Sequence, residues 1–499
     1  MFRSSTASAG EGSSRRAPTR TRAYRGLLAR FRRADGAGRR ATRLVVLATL
    51  LWPVALATGA QAANVPTPQT DPFYHYSGLE PLSKIAPGTV LKTRIEQYHI
   101  AGVPTSIRVV QLLYRSTSEL GAPVVNVTSV LEPPSNVTAP YAVAYQSFYD
   151  SLNPDDEPSY AISGGVTLGG LVNVPESALI VPELLKGYAV IVADTEGQNA
   201  DFAAGPEYGM LTLDSVRAAL NSPDTGLGES TKVVLYGYSG GAIATGWAAE
   251  LAPTYAPDLT NHLVGASMGG VLVDPEHNLT YVSGSKIWAG VIPMAVIGIA
   301  RAFDIDFTPY LSSYGLELTY RMQKASIAFV LGRYPGLTWA QLAKPQYSTP
   351  ANIPIYVEAA NQLIMGSQGT PKVPLLIAQG ANGTVEGTSG DIPGIGPGDG
   401  VMVTGDVRSL ALEYCQQGVP VQYDEYDNLA HVGTALPWLA QTIPWIDERF
   451  AGDAPPQDCA TIAPGNPLTP LPVPSGTSVP TLPANPKLDQ EGGGTGAQS

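Results

Sequence analysis

Metal-binding side chains are scarce in this chain. Two cysteines and five histidines stand among 499 residues. They form no H-E-x-x-H motif and no Cys/His cluster, so no zinc-type centre is predicted. The acidic, glycine-rich loop at 380–400 lacks the ligand spacing of a calcium site. Charged residues are few as well, at 14%, against 44% apolar residues. That balance excludes a chain disordered as a whole and permits a large core. Basic residues are scarcer still where they would matter. Residues 1–62 hold twelve Arg, no Lys and two acids, and the rest carries 18 basic against 40 acidic residues, a net charge near −22. A surface of that sign repels nucleic acid, which excludes nucleic-acid binding. Apolar runs long enough to cross a bilayer, about 20 residues, are also missing. Residues 44–58 (LVVLATLLWPVALAT) are too few and contain Pro53, and residues 286–303 are short and interrupted by Gly and Pro.

What is present begins with a leader. Arg39, Arg40 and Arg43 precede the apolar run 44–58, and Ala60-Gln61-Ala62 follows it as a small-x-small cleavage site. This pattern predicts a signal peptide over 1–62, cleaved after Ala62, and a secreted mature chain. Arg39-Arg40 leaves Sec and Tat export both open. Cys415 and Cys459 lie in the exported part, where a pair of thiols is expected to close as one disulfide. Residues 463–499 are rich in Pro, Thr, Ser and Gly and are expected to form a disordered tail.

Between leader and tail, strands alternate with helices. Residues 106–114 (SIRVVQLLY), 123–131, 141–144, 188–194 (YAVIVAD), 232–236 (KVVLY), a stretch within 263–273, 373–378 and 419–423 read as strands. Residues 213–220, 241–251 and 407–416 read as helices. Residues 63–100 show no clear period. The rhythm predicts an α/β fold with a mostly parallel sheet covered on both faces. It breaks between 275 and 345, a block in which 316–331 reads as helical and which is read as an inserted helical cap. Core segments are therefore expected at 63–274 and 346–462.

The sharpest chemical signal is Gly237-Tyr238-Ser239-Gly240-Gly241, between the strand KVVLY and an apolar helix. A serine in G-x-S-x-G at a strand-to-helix turn is held on a tight elbow, exposed at the top of the sheet. The Gly240 N–H and the helix N-terminus face a developing oxyanion. The pattern resembles an α/β-hydrolase, in which the chain order is nucleophile, acid, histidine. Of the five histidines, His75 and His99 precede the serine. His262 and His277 leave no room for a preceding acid strand. His431, after the last strand, remains as the base. The acid must follow the strand at 373–378, where Glu386, Asp391, Asp399 and Asp406 are candidates. Position alone does not separate them. Asp399, beside the apolar stretch that leads to Cys415, is preferred, with Glu386 second.

The Tyr-Ser-Gly-Gly elbow at 238–241, the upstream segment 145–151 (YQSFYDS) and a C-terminal Asp…Cys…His series together resemble the secretory lipase family, the group typified by lipase A of yeast. The resemblance covers about residues 70–450. Asp399, Cys415 and His431 are spaced 16 and 16 positions apart, close to the family's spacing, which favours Asp399. The resemblance further implies that Asp150 supplies the second oxyanion contact and that the insertion at 275–345 is a lid. A long glycine-rich stretch at 381–398 departs from the family pattern. The function expected is a secreted carboxylic ester hydrolase, a triacylglycerol lipase or esterase, acting on lipid or other esters without a cofactor. A serine peptidase or acyltransferase on the same fold and an inactive lipid-binding protein are the alternatives.

Overall fold

Runs of β-branched and aromatic residues pair into a single sheet. The computed structural model describes residues 65–134, 141–390 and 392–474. Its strands are β1 (Val90–Ile100), β2 (Val103–Thr117), β3 (Pro123–Leu131), β4 (Tyr141–Gln146), β5 (Ala189–Ala193), β6 (Lys232–Tyr238), β7 (Leu263–Gly269), β8 (Leu375–Gly380) and β9 (Val421–Tyr426). They join in the order β1-β2-β3-β5-β4-β6-β7-β8-β9. Antiparallel pairing links β1, β2, β3 and β5, and parallel pairing runs from β5 through β4 to β9. The leader, its cleavage point, Asp391 and the end of the tail lie outside the described residues.

The helices that frame the sheet are α1 (Asn173–Leu185), α2 (Gly205–Asn221) and α3 (Gly240–Tyr255). Between β7 and β8 the chain leaves the sheet and forms α4 (Pro275–Val282), α5 (Val291–Ala302), α6 (Ser313–Arg321) and α7 (Pro354–Gln362), joined by shorter turns. After β8 come α8 (Thr404–Gln416) and, after β9, α9 (His431–Ala451). Successive side chains of a strand point to opposite faces, and the core divides accordingly. Val233 and Leu235 of β6 pack with α2, α3, α8 and the insertion. Val234 and Tyr236 pack with α1 and α9 on the other face. The central strands are apolar throughout because both faces are covered.

Three elements differ from the sequence-based expectation. Strand β1 forms where no period was read: its side chains are mostly half-exposed on both sides, as suits an edge strand, so no apolar alternation marks it. A single helix across 316–331 is replaced by α6 and a separate turn at Ile327–Val330. Residues 463–474, expected to lack packing, are tied down by asparagine. Asn466 donates from its amide nitrogen to Asp406 Oδ1 (2.7 Å), and the Leu471 N–H donates to Asn361 Oδ1 (2.8 Å). A disulfide joins Cys415 at the end of α8 to Cys459 beyond α9. Among the described residues no helix is long and apolar enough to cross a membrane.

Candidate active site

Ser239 occupies the turn between β6 and α3 with φ 56° and ψ −120°. This backbone is unfavourable for a residue with a side chain and stores roughly 1–3 kcal/mol that the surrounding structure must offset. The neighbouring glycines explain how the turn closes. A Cβ on Gly237 would lie 2.3 Å from the Gly241 carbonyl oxygen, and one on Gly241 would lie 2.0 Å from that of Gln146. Strand, turn and helix can approach this closely only without side chains at those two positions. Tyr238 points away from the turn, and its hydroxyl donates to the carbonyl of His431.

His431 is the first residue of α9 and comes to the serine from the far end of the sheet. Its Nε2 lies 2.8 Å from Ser239 Oγ, and its Nδ1 lies 2.7 Å from Asp399 Oδ2. Asp399 is fully buried and held by several donors. Val401 N (3.0 Å) and Met402 N (2.8 Å) donate to Oδ1, and Gln379 Nε2 (3.0 Å) donates to Oδ2. The long stretch after β8 ends in this tight turn, which fixes the carboxylate although the loop before it is glycine-rich. Burial pulls the His431 pKa down, but Asp399, through its charge and hydrogen bond, and then Glu386 and Asp150 outweigh it, so the net shift is upward.

The remaining candidates have other partners. Glu386 accepts from Trp288 Nε1 (2.7 Å) and from the Val432 N–H (2.9 Å), so it stands beside the histidine without bonding to its ring. Asp406 meets His277 Nδ1 at 2.9 Å. His75, His99 and His262 each engage main-chain carbonyls away from Ser239.

Asp150 follows β4 and lies against the elbow. A Cβ on Gly240 would fall 1.8 Å from its Oδ1, so the two residues are in direct apposition. Asp150 also has a positive φ, 36°. Its segment is held by two buried carboxylates that sequence reading missed. Glu176 on α1 accepts from Ser147 Oγ (2.8 Å) and Phe148 N (2.8 Å), and Glu196 accepts from Ser151 N (3.1 Å). Burial raises the Asp150 pKa to about 7, with the His431 charge opposing and Glu176 adding to the rise. Asp150 is therefore largely protonated below neutrality and then carries an O–H donor. Gly240, as the first residue of α3, offers an N–H with no partner inside its helix.

Ser239, Gly240 and Asp150 open onto one shared cavity. Its walls are mainly apolar and come largely from the insertion, including Leu279, Ile292, Val296, Ile299 and Phe307. Such a pocket can take a chain of methylene groups, each stabilised by about 0.8 kcal/mol on leaving water.

A mostly parallel sheet with a serine at the strand-to-helix elbow, helices on both faces and a helical insertion before β8 defines an α/β-hydrolase. The chain belongs to the secretory lipase family, whose family model matches residues 166–458. Lipase 2 of Candida albicans is 31% identical over 419 residues, covering 80% of this chain and 85% of that protein. Lipase 4 of the same organism is 30% identical over 412 residues, covering 79% and 83%. The closed-state structure of Candida antarctica lipase A superposes with a TM-score of 0.67 at 27% identity, over 82% of this chain and 92% of that one. A Mycobacterium tuberculosis protein described as a probable inactive lipase is 29% identical over 393 residues, covering 77% and 83%.

Proposed function

We propose that this protein is an exported serine esterase of the lipase type that hydrolyses lipid esters through an acyl-enzyme. The reading is carried by one observation: the contacts Ser239–His431–Asp399, at 2.8 and 2.7 Å, lead to a serine that lines an apolar cavity. With the Nδ1 proton directed at Asp399, Nε2 accepts the Ser239 proton as Oγ attacks the ester carbonyl. Asp399 stabilises the imidazolium. The Gly240 N–H and the protonated Asp150 carboxyl donate to the oxyanion of the tetrahedral intermediate. His431 then passes its proton to the leaving alcohol. Water attacks the acyl-enzyme by the same steps in reverse and releases the acid and free Ser239. The acyl chain occupies the cavity lined by the insertion, which acts as a lid.

The same contacts favour an active enzyme over a lipid-binding protein, although one relative is described as inactive. The test is hydrolysis of p-nitrophenyl esters from acetyl to palmitoyl by residues 63–499, with Ser239→Ala alongside. Turnover that includes long chains and vanishes in the variant supports the lipase reading, and short chains alone reduce it to a general esterase. Turnover that survives Ser239→Ala would falsify the assignment of the nucleophile. A folded wild type that neither hydrolyses esters nor labels with a fluorophosphonate leaves the binding-protein reading in its place.

A further inference from the structure

Glu386 is a buried carboxylate beside the base that the proposed reaction does not use. It lies on a 3-10 turn, Gly383–Glu386, whose preceding residue Val385 is exposed to solvent while Glu386 turns inward. Its two oxygens reach different parts of the molecule. Oε2 accepts from the indole Nε1 of Trp288, in the insertion, at 2.7 Å. Oε1 accepts from the N–H of Val432, in the first turn of α9, at 2.9 Å. The Trp288 ring stands edge-on to the His431 ring, with centroids 5.1 Å apart and planes at 83°. Trp288 also lines the cavity next to Ser239. Gly400, immediately after Asp399, makes room for the pair: a Cβ there would lie 2.9 Å from Glu386 Oε2 and 3.0 Å from Trp288 Nε1.

We propose that Glu386 is a positioning residue: its carboxylate pins Trp288 between the cavity and His431, and so sets both the seating of the base and the preference for acyl-chain length. This rests on the serine-esterase reading above. Burying a carboxylate is costly unless it is well bonded. This one is retained where a single side chain joins the insertion to the helix that carries the base. Without it the indole loses its partner and is free to turn into the cavity or away from it. The carboxylate also contributes negative charge near His431, a ring that Asp399 and Asp150 face as well, and the Tyr238 hydroxyl lies on the His431 carbonyl. Glu386 itself is faced by His431, Asp399, Tyr238 and Tyr281, and Lys286 packs on the adjoining Gly387.

The test compares the wild-type protein with Glu386→Gln and Trp288→Phe. The readouts are kcat/KM against pH and the ratio of p-nitrophenyl palmitate to p-nitrophenyl butyrate turnover. Removing the charge in Glu386→Gln lowers the proton affinity of His431, so the acid limb of kcat/KM moves to lower pH. The palmitate-to-butyrate ratio changes by about tenfold, the factor expected for a lost charge-assisted hydrogen bond. Trp288→Phe keeps a ring but no N–H: the ratio shifts while the acid limb stays in place, because Glu386 keeps its charge. A folded Glu386→Gln protein with the wild-type acid limb and the wild-type ratio overturns the proposal. Should that variant lack a cooperative melt, an unchanged ratio in Trp288→Phe overturns it instead. A wild type that fails to label with fluorophosphonate refutes the esterase reading itself, which separates that failure from the failure of this proposal.

Discussion

Replacing Asp399 with asparagine probes the least exposed part of the site. The carboxylate accepts from Val401 N, Met402 N and Gln379 Nε2 and also meets His431 Nδ1, so each position around it is occupied by a nitrogen. An amide has only one acceptor oxygen. If that oxygen faces the two main-chain N–H groups, its NH₂ group meets Gln379 and His431. Histidine can then bond to it only by accepting at Nδ1, which places the ring proton on Nε2, the atom that must receive the Ser239 proton. The expected loss in kcat is about 10⁴-fold, as for a triad locked in the wrong tautomer, or about 5 kcal/mol of barrier. KM should change little, because the acyl cavity is untouched. The assay is p-nitrophenyl butyrate hydrolysis near neutral pH, with circular dichroism to confirm folding. A loss of less than about tenfold would refute the assignment. So would an equal loss from Glu386→Gln, which would make Glu386 the acid partner.

Further expectations follow from the buried acids and the staple. Asp150 is held up to about 7, chiefly by burial, so its oxyanion-donating form is lost as pH rises past that value. The kcat/KM profile should fall on the alkaline side, and Asp150→Asn, which keeps a neutral donor, should remove that limb; a limb that persists in the variant refutes the role. Burial also raises Glu119 to about 8 and Glu176, Asp194 and Glu250 to about 7. These groups ionise near about 4 in the unfolded chain, so their stability contribution is complete below that pH and is lost as pH rises through about 7–8. The thermal midpoint should therefore be higher at about pH 5 than at about pH 8, and a midpoint that climbs between those values contradicts the burial argument. The disulfide closes a separation of 44 residues, so replacing both cysteines by serine should cost about 4 kcal/mol; denaturant unfolding measures this.

Much of this was legible in the sequence because it is local. The apolar strands that surround the elbow are buried on both faces, so they read as continuous runs, and the glycines of 237–241 mark a turn that no other residues could make. His431, singled out by chain order and a short supply of histidines, is the histidine that lies against Ser239. Other features arise only from distant contacts. Gln379 continues a strand read only as far as Ala378, and nothing local shows that it will donate to a carboxylate 20 residues on. Glu176 and Glu196 sit in ordinary helical and turn contexts, and their role appears only when the segment after β4 folds onto them. Helix α9 carries Pro437 and Pro444 within 21 residues. Proline removes a helical donor and strains the preceding turn, so local propensity argues against a helix that packing against the sheet nevertheless stabilises. The apolar face around Trp438, Trp445 and Ile446 supplies that packing.

The segment that carries Asp150 shows why the insertion is more than a cover. On its core side Glu176 and Glu196 bind Phe148 and Ser151, and on its outer side the insertion bonds to it directly. The Ile327 N–H donates to the Asp150 carbonyl, and the Leu152 N–H donates to the Ala325 carbonyl, both at 2.8 Å, around a bridge between Ser151 and Ser326. Main-chain bonds of this kind do not shift independently. Movement of the insertion that displaces residues 325–327 must either break both bonds or carry Asp150 with it, and either result disturbs the proposed oxyanion contact. Helix α5 is tied to the same segment, because Arg301 Nη1 donates to the Leu152 carbonyl at 3.0 Å. On the proposed reading, opening of the insertion for substrate and seating of the oxyanion contact are thus coupled, through the short strand-like contact at 325–327 and through Arg301 of α5.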